Sequence, residues 1–248
     1  MKQYPSHSEQ AAASSAFTFQ RWSLAACIIL APLSLALYIL AWPENPAPVI
    51  VNNTMAAPIQ TSIMAGTIGN TLHFIGGIAA SFFLPLGYLG MSLLGMRRSP
   101  WLATISAALS LIGWIPWSGL IGIDALASDI AVTGSTPQLA EIWNHFNGDP
   151  TMATYLLIYV VGHLVSTVLI AIMLGRLHII PVWAAWAFAL TSPLTMIYFP
   201  FRILTVRYIL RYAILVFFLI GAAPAALAML KNKDLAQTAP SSAEGLTQ

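Results

Sequence analysis

The chain has 248 residues, of which 58% are apolar and only 7% are charged. A soluble globular protein carries about 25% charged residues, so this composition excludes a soluble domain as well as a disordered chain. The formal net charge of +2 is too small to indicate nucleic-acid binding, and the single Cys27 excludes an internal disulfide framework.

Apolar stretches long enough to cross a bilayer divide the chain. About 20 apolar residues span the hydrocarbon core as a helix, and continuous runs of this length are typical of helices rather than of barrel strands. The sequence therefore predicts an all-α fold, an integral membrane bundle of six transmembrane helices. They cover about residues 22–42, 68–96, 101–131, 152–174, 181–199 and 207–230.

The positions of Lys and Arg predict the orientation, because short cytoplasmic loops are enriched in both. Most of the basic residues fall on one side of the membrane if both termini are cytoplasmic. These residues are Lys2, Arg21, Arg97, Arg98, Arg176, Lys231 and Lys233. Residues 1–21 are then a cytoplasmic N-terminal tail, of which we expect 1–16 to be disordered, and residues 231–248 are a disordered cytoplasmic tail.

Residues 137–146, between the third and fourth spans, predict a short helix on the outer membrane surface. Thr136 suits an N-cap, Pro137 a first helical position and Gly148 a helix end. The apolar residues recur at helical spacing and form one face. They are Leu139, Ile142, Trp143 and Phe146. This helix is either a lid over an outward-facing cavity or a connector that rests on lipid.

Ionisable side chains inside predicted spans are the candidate functional residues, because a charge is costly in the membrane interior. They are His73, Asp124, Asp129, His163, Arg207 and Arg211. Arg207 and Arg211 are four residues apart and share a helix face. We expect Asp124 to pair with Arg211, leaving Arg207 and Arg202 to face an outer vestibule.

The leading interpretation is a non-enzymatic membrane protein that binds or passes a small solute or ion through an outward-facing polar cavity. His73, Asp124, His163, Arg207 and Arg211 would line this cavity. The two arginines would attract an anion, Asp124 would set the charge balance and His163 could relay a proton. No G-x-x-x-x-G-K-[ST], C-x-x-C-H or H-E-x-x-H motif occurs, and we expect no cofactor in this interpretation.

Two alternatives remain open. In the first, His73 and His163 on different helices hold one b-type haem, and the protein is a redox protein. In the second, the protein is a structural or accessory subunit, and its intramembrane charges only fix helix packing. The lipid bilayer is the expected partner in every case. Small-residue spacings such as Gly87-x-x-Gly90 also allow a homo-oligomer.

A set of short motifs between His73 and Phe199 covers about half the chain. They are His73-Phe74-Ile75-Gly76, Leu86-Gly87-Tyr88-Leu89-Gly90, Arg97-Arg98, Pro100-Trp101, Leu174-Gly175-Arg176 and Pro181-Val182-Trp183. In these motifs the chain resembles a diffuse set of uncharacterised bacterial multi-pass integral membrane proteins. The resemblance implies a location in the bacterial inner membrane and supplies no activity.

Overall fold

The computed structural model describes residues 7–44, 57–134, 136–198 and 203–231, and the side chains from residue 15 onward within these ranges. All regular structure in these ranges is helical. The helices are α1 (His7–Ala41), α2 (Ala57–Gly95), α3 (Pro100–Trp114), α4 (Trp117–Thr133), α5 (Pro137–Asn147), α6 (Pro150–Arg176), α7 (Val182–Tyr198) and α8 (Leu204–Lys231). Most of the predicted C-terminal tail, residues 232–248, lies outside the described residues, as do residues 1–6.

The prediction of a helical membrane bundle is confirmed in its coarse form. Five described segments are long and apolar enough to cross a membrane: Ser15–Ala41, Ala57–Gly95, Pro100–Thr133, Pro150–Arg176 and Leu204–Lys231. The fifth predicted span corresponds to α7, which is apolar but has only 17 residues. The exact count of six and the location of the termini stay predictions.

Two predicted boundaries differ from the structure. α1 begins at His7, well before the predicted start at residue 22, so part of the expected N-terminal tail is helical. The predicted span 101–131 is divided into α3 and α4 at Ile115 and Pro116. Proline has no backbone N–H to donate and its ring clashes with the preceding turn, which explains the break.

The helices form a closed ring. Contacts run from α1 to α2, α3, α6, α7 and α8, and α8 returns to α1. The backbones of α3 and α6 touch at Gly113, where an added Cβ would lie 2.8 Å from the Cα of Gly162. α1 and α2 approach in the same way at Gly76, where a Cβ would lie 2.8 Å from the Cα of Tyr38. Glycine is required at both positions because any side chain would force the helices apart.

Exposed tryptophans mark one end of the ring. Trp22, Trp101 and Trp183 are mostly exposed, and each lies within about five residues of a basic residue: Arg21, Arg98 and His178. Large exposed aliphatic side chains cover the rest of the outer surface. An exposed apolar surface of this extent is typical of a protein that contacts lipid, with tryptophan at the headgroup level.

The short helix predicted before the fourth span is confirmed as α5, with its predicted caps. Thr136 accepts a hydrogen bond from the backbone N–H of Leu139, and Gly148 ends the helix. Trp143 is fully buried against α4, where its Nε1 donates to the carbonyl oxygen of Ile123 at 3.3 Å. Ile142, on the predicted apolar face, is 58% exposed. Trp143 of the predicted apolar face therefore packs on α4, whereas Ile142 of the same face lies on the outer surface.

A kink at Gly66 separates the first turns of α2 from the rest of the helix. Its backbone angles, φ 63° and ψ −173°, are accessible essentially only to glycine. Ile59, in the segment Ala57–Ala65 that precedes the kink, belongs to the same buried apolar cluster as Trp143 and Ile123. This segment, rather than α5, borders the cavity described next.

Candidate functional site: a charged cavity at one end of the bundle

A cavity of about 610 Å³ lies within the ring, near the end of α1 and the start of α8. The structure brings all five predicted cavity residues together in its wall: His73, Asp124, His163, Arg207 and Arg211. Asp129 is exposed and is not part of the lining. The deeper wall is aromatic, with Tyr88, Trp114, Trp117, Tyr159 and Phe218. No residue of α5 lines the cavity, so the structure gives the lid interpretation no support.

Glu44 holds the two arginines together. It follows α1 directly, and its side chain is only 2% exposed. Its carboxylate accepts from Nε of Arg207 at 2.8 Å and from Nη1 of Arg211 at 3.1 Å. Tyr198 also donates to it, at 2.8 Å, and accepts from Nη2 of Arg207 at 2.7 Å. Among the described residues, one acid therefore serves both arginines, and the charges of Glu44, Arg207 and Arg211 sum to +1.

The predicted ion pair between Asp124 and Arg211 is wrong. Arg211 bonds Glu44 and donates through Nη2 to the carbonyl oxygen of Trp42 at 2.8 Å. Asp124 instead belongs to a second cluster, formed with residues of α1 and α2. Arg207, which we expected to face an outer vestibule, lines the cavity and also bonds Glu44. Arg202 lies outside the described residues.

The second cluster joins His73, Asp124 and Tyr38. Tyr38 donates its O–H to Oδ2 of Asp124 at 2.7 Å. His73 contacts the same oxygen through Nε2 at 3.3 Å and bonds the carbonyl oxygen of Tyr38 through Nδ1 at 2.8 Å. The imidazole lies between two aromatic rings, with the Trp42 ring at 3.8 Å and the Tyr38 ring at 4.1 Å between centroids. Asp124 remains 17% exposed, so the cavity reaches this cluster.

His163 lies in the aromatic wall. Its Nδ1 bonds the carbonyl oxygen of Tyr159, one turn earlier on α6, and its ring stacks on that of Tyr159 at 4.1 Å. A carbonyl oxygen only accepts, so Nδ1 carries the hydrogen and the neutral ring presents a lone pair at Nε2. Within the described part of the chain, no residue donates a hydrogen bond to that nitrogen. His163 thus offers the cavity one acceptor.

The two histidines do not fit the haem alternative. A haem iron needs a free ring nitrogen from each axial histidine, but both nitrogens of His73 are engaged and both of its faces are covered by aromatic rings. No group of three or more potential metal-ligating side chains occurs among the residues that the structure describes. We therefore derive no redox chemistry from His73 and His163.

A second cavity, of about 860 Å³, lies at the other end of α1. Its lining combines basic side chains from the helix ends with apolar residues of α1 and α8. The basic residues are Arg97, Arg98, His178 and Lys231. Basic residues at this end are as expected for the cytoplasmic side, whereas the charged cavity of about 610 Å³ lies at the opposite end of the bundle.

No protein-family model matches the chain, and neither the curated proteins nor the solved structures include a match. The site must therefore be interpreted from its own geometry. The resemblance to bacterial multi-pass membrane proteins stays a prediction.

Sequence reasoning missed Glu44, Tyr38 and Trp42. Glu44 lies outside the predicted spans, although an acid placed directly after Trp42 and Pro43 at the end of a span indicates a possible partner for the arginines. Tyr38 and Trp42 carry no charge and lie in an apolar run, so only their position opposite His73 identifies them. Gly87 and Gly90, which we considered for a homo-oligomer, pack on α1 within the same chain.

Proposed function

We propose that this protein binds a small organic anion in the charged cavity and, as a multi-pass protein of the bacterial inner membrane with six spans, presents that cavity to the outside. The observation that carries the proposal is the excess positive charge of the Arg207–Glu44–Arg211 cluster. A ligand with one anionic group would balance the cluster. An ionised partner hydrogen-bonded to arginine is the strongest kind of hydrogen-bonded contact available there.

Burial makes this excess charge effective. Arg211 is only 6% exposed and Arg207 only 16%, so water screens them weakly. Buried donors nearby reinforce the preference for an acceptor: Nε of Arg211 and Nε1 of Trp114 lack a hydrogen-bond partner in the described part of the chain. Native proteins leave few such groups unsatisfied.

The shape of the cavity favours an anion with an apolar or aromatic body. A volume of about 610 Å³ falls within the roughly 300–1,000 Å³ of typical small-molecule sites. Trp114, Trp117 and Tyr159 form a continuous aromatic wall, with ring centroids 5.5 to 5.8 Å apart. The anionic group would contact the arginine cluster and the body would contact this wall.

Binding of three matched probes in lipid nanodiscs tests the proposal: benzoate, benzyl alcohol and benzylamine. They share one ring and differ in charge, and tryptophans of the cavity wall provide a fluorescence signal. We expect benzoate to bind and benzylamine not to bind. The proposal fails if benzylamine binds as well as benzoate, or if neither binds.

Arg207→Gln tests the role of the excess charge, because it leaves one acid with one arginine. A hydrogen bond to a charged group contributes about 1.5–3 kcal/mol, so benzoate affinity should fall roughly tenfold or more. Arg176→Gln is the matched control, since Arg176 ends α6 and is not part of the cavity wall. Equal benzoate affinity in the two variants would contradict an anion site at Arg207.

A further inference from the structure

The contacts of His73 determine how many protons the His73–Asp124 pair must hold. Nδ1 lies 2.8 Å from the carbonyl oxygen of Tyr38, which only accepts, so Nδ1 carries a hydrogen. Nε2 lies 3.3 Å from Oδ2 of Asp124. In a neutral ring Nε2 would then hold a lone pair that faces the lone pairs of an ionised carboxylate. The contact is attractive only if the His73–Asp124 pair holds one proton more than a neutral imidazole and a carboxylate.

The surroundings stabilise this proton. The rings of Trp42 and Tyr38 cover the two faces of His73, and aromatic faces attract a cation such as an imidazolium. The O–H of Tyr38 donates to Asp124 and stabilises its carboxylate. The pair is therefore built to hold a proton between an acid and a base. Water can reach it through the cavity, because Asp124 is partly exposed there.

We propose that the His73–Asp124 pair is a proton-binding site and that one proton and one organic anion bind to this cavity together. This inference rests on the proposed function. The described charged side chains of the cavity wall are Arg207, Arg211, Glu44 and Asp124, which sum to zero when both histidines are neutral. One proton raises the charge of the cavity to +1, and one anion returns it to zero.

Trp42 connects the two binding events. Its ring stacks on His73, and its carbonyl oxygen accepts from Arg211 at 2.8 Å. The proton site and the arginine cluster are thus separated by a single residue in a weakly screened environment. Because coupling between two ligands is reciprocal, the proton strengthens anion binding to the same extent that the anion strengthens proton binding.

The contacts of the other titratable groups that face this pair do not require an additional proton. Glu44, at the end of α1, is fully engaged by two arginines of α8 and by Tyr198 of α7. His163 of α6 bonds a carbonyl through Nδ1, and no acid contacts its ring in the described residues. The phenol of Tyr159 belongs to the aromatic wall. Among the described titratable groups, only the contact between Nε2 of His73 and Asp124 requires an additional proton.

Benzoate affinity measured from about pH 5 to 8, where histidine-linked groups titrate, tests the coupling. In the wild type the affinity should be highest at low pH and should fall as the pH rises, by up to about tenfold per pH unit, as expected for one linked proton. Asp124→Asn keeps the shape and fixes the charge at the protonated value, because its amide donates to Nε2 of a neutral His73. Its affinity should be independent of pH and equal to the low-pH value of the wild type.

Asp129→Asn is the matched control, since it makes the same change on the same helix at an exposed position outside the cavity wall. It should keep the wild-type pH profile. Tyr38→Phe provides a second variant in case Asp124→Asn fails to fold. Removing a donor to the carboxylate should move the fall in affinity to higher pH. A wild-type affinity that is constant with pH would overturn the coupling while leaving the anion site intact.

Infrared difference spectra of the protein without benzoate separate the two proposals. We expect a carboxyl or imidazolium band that titrates in the wild type and in Asp129→Asn and is absent from Asp124→Asn. If this band is present but benzoate does not bind, the anion site and the coupling fail and the proton site stands. If no such band distinguishes the wild type from Asp124→Asn at any pH, the proton-binding site is refuted whatever benzoate does.

Discussion

Replacing Glu44 with glutamine removes the acid that two buried arginines share. The side chains of Glu44 and Arg211 are 2% and 6% exposed, so water cannot replace the carboxylate as a partner for Arg211. Breaking a buried ion pair by removing one partner costs about 3–5 kcal/mol. We expect the lower end of this range, about 3 kcal/mol, because the amide oxygen of glutamine still accepts a hydrogen bond and the more exposed Arg207 can turn toward the cavity.

Thermal unfolding in lipid nanodiscs measures this effect. A loss of about 3 kcal/mol lowers the Tm of a chain of this size by roughly 6–12 °C. Glu141→Gln on the surface of α5 is the matched control and should change Tm by little, because its side chain is exposed. The double variant Glu44→Gln, Arg211→Gln should be less destabilised than the two single effects combined, since the unpaired charge is gone. A Tm for Glu44→Gln equal to that of the control would refute the buried cluster.

Three further predictions test the packing and the topology. Gly76→Ala should lower Tm and weaken benzoate binding, because its Cβ would overlap the backbone of α1 near His73. Gly122→Ala is the control and should change neither Tm nor benzoate binding, since nothing lies within 4 Å of its added Cβ. Trp143→Ala should cost about 3–5 kcal/mol in thermal unfolding, because removing this fully buried side chain leaves a cavity against α4; a Tm equal to that of the wild type would refute this packing. A reporter fused after Lys233 should behave as cytoplasmic, and a periplasmic signal there would exclude an even number of spans.

Much of the fold could be predicted because its signals are local. The predicted span ends at residues 42 and 96 lie within one residue of the ends of α1 and α2. Apolar runs, arginines at helix ends and the caps of α5 are all features of neighbouring residues. The start of α1 was missed because a polar sequence continues an existing helix at little cost, so hydropathy alone does not mark where the helix begins.

The members of the cavity were also predictable, but their pairing was not. An ionisable residue inside an apolar run can be recognised from the sequence, because a charge is costly in the membrane interior. All five residues predicted in this way line the cavity. Their partners depend on helix rotation and on the break at Pro116, which sets the direction of Asp124. The acid that pairs with Arg211 lies outside the predicted spans, at Glu44. A search limited to charges inside the spans therefore selected the wrong carboxylate.

The arrangement of charge distinguishes a ligand site from a packing device. An ion pair that only fixes helix packing is most stable when it is balanced, because any uncompensated buried charge costs several kcal/mol. Here Glu44 is shared by two arginines among the described residues, and the proton proposed at His73 and Asp124 would add a further positive charge. Close helix packing is already provided elsewhere, by the backbone contact at Gly113 and Gly162. The local excess of positive charge at Glu44, Arg207 and Arg211, in the wall of a large cavity, therefore supports the proposed anion site.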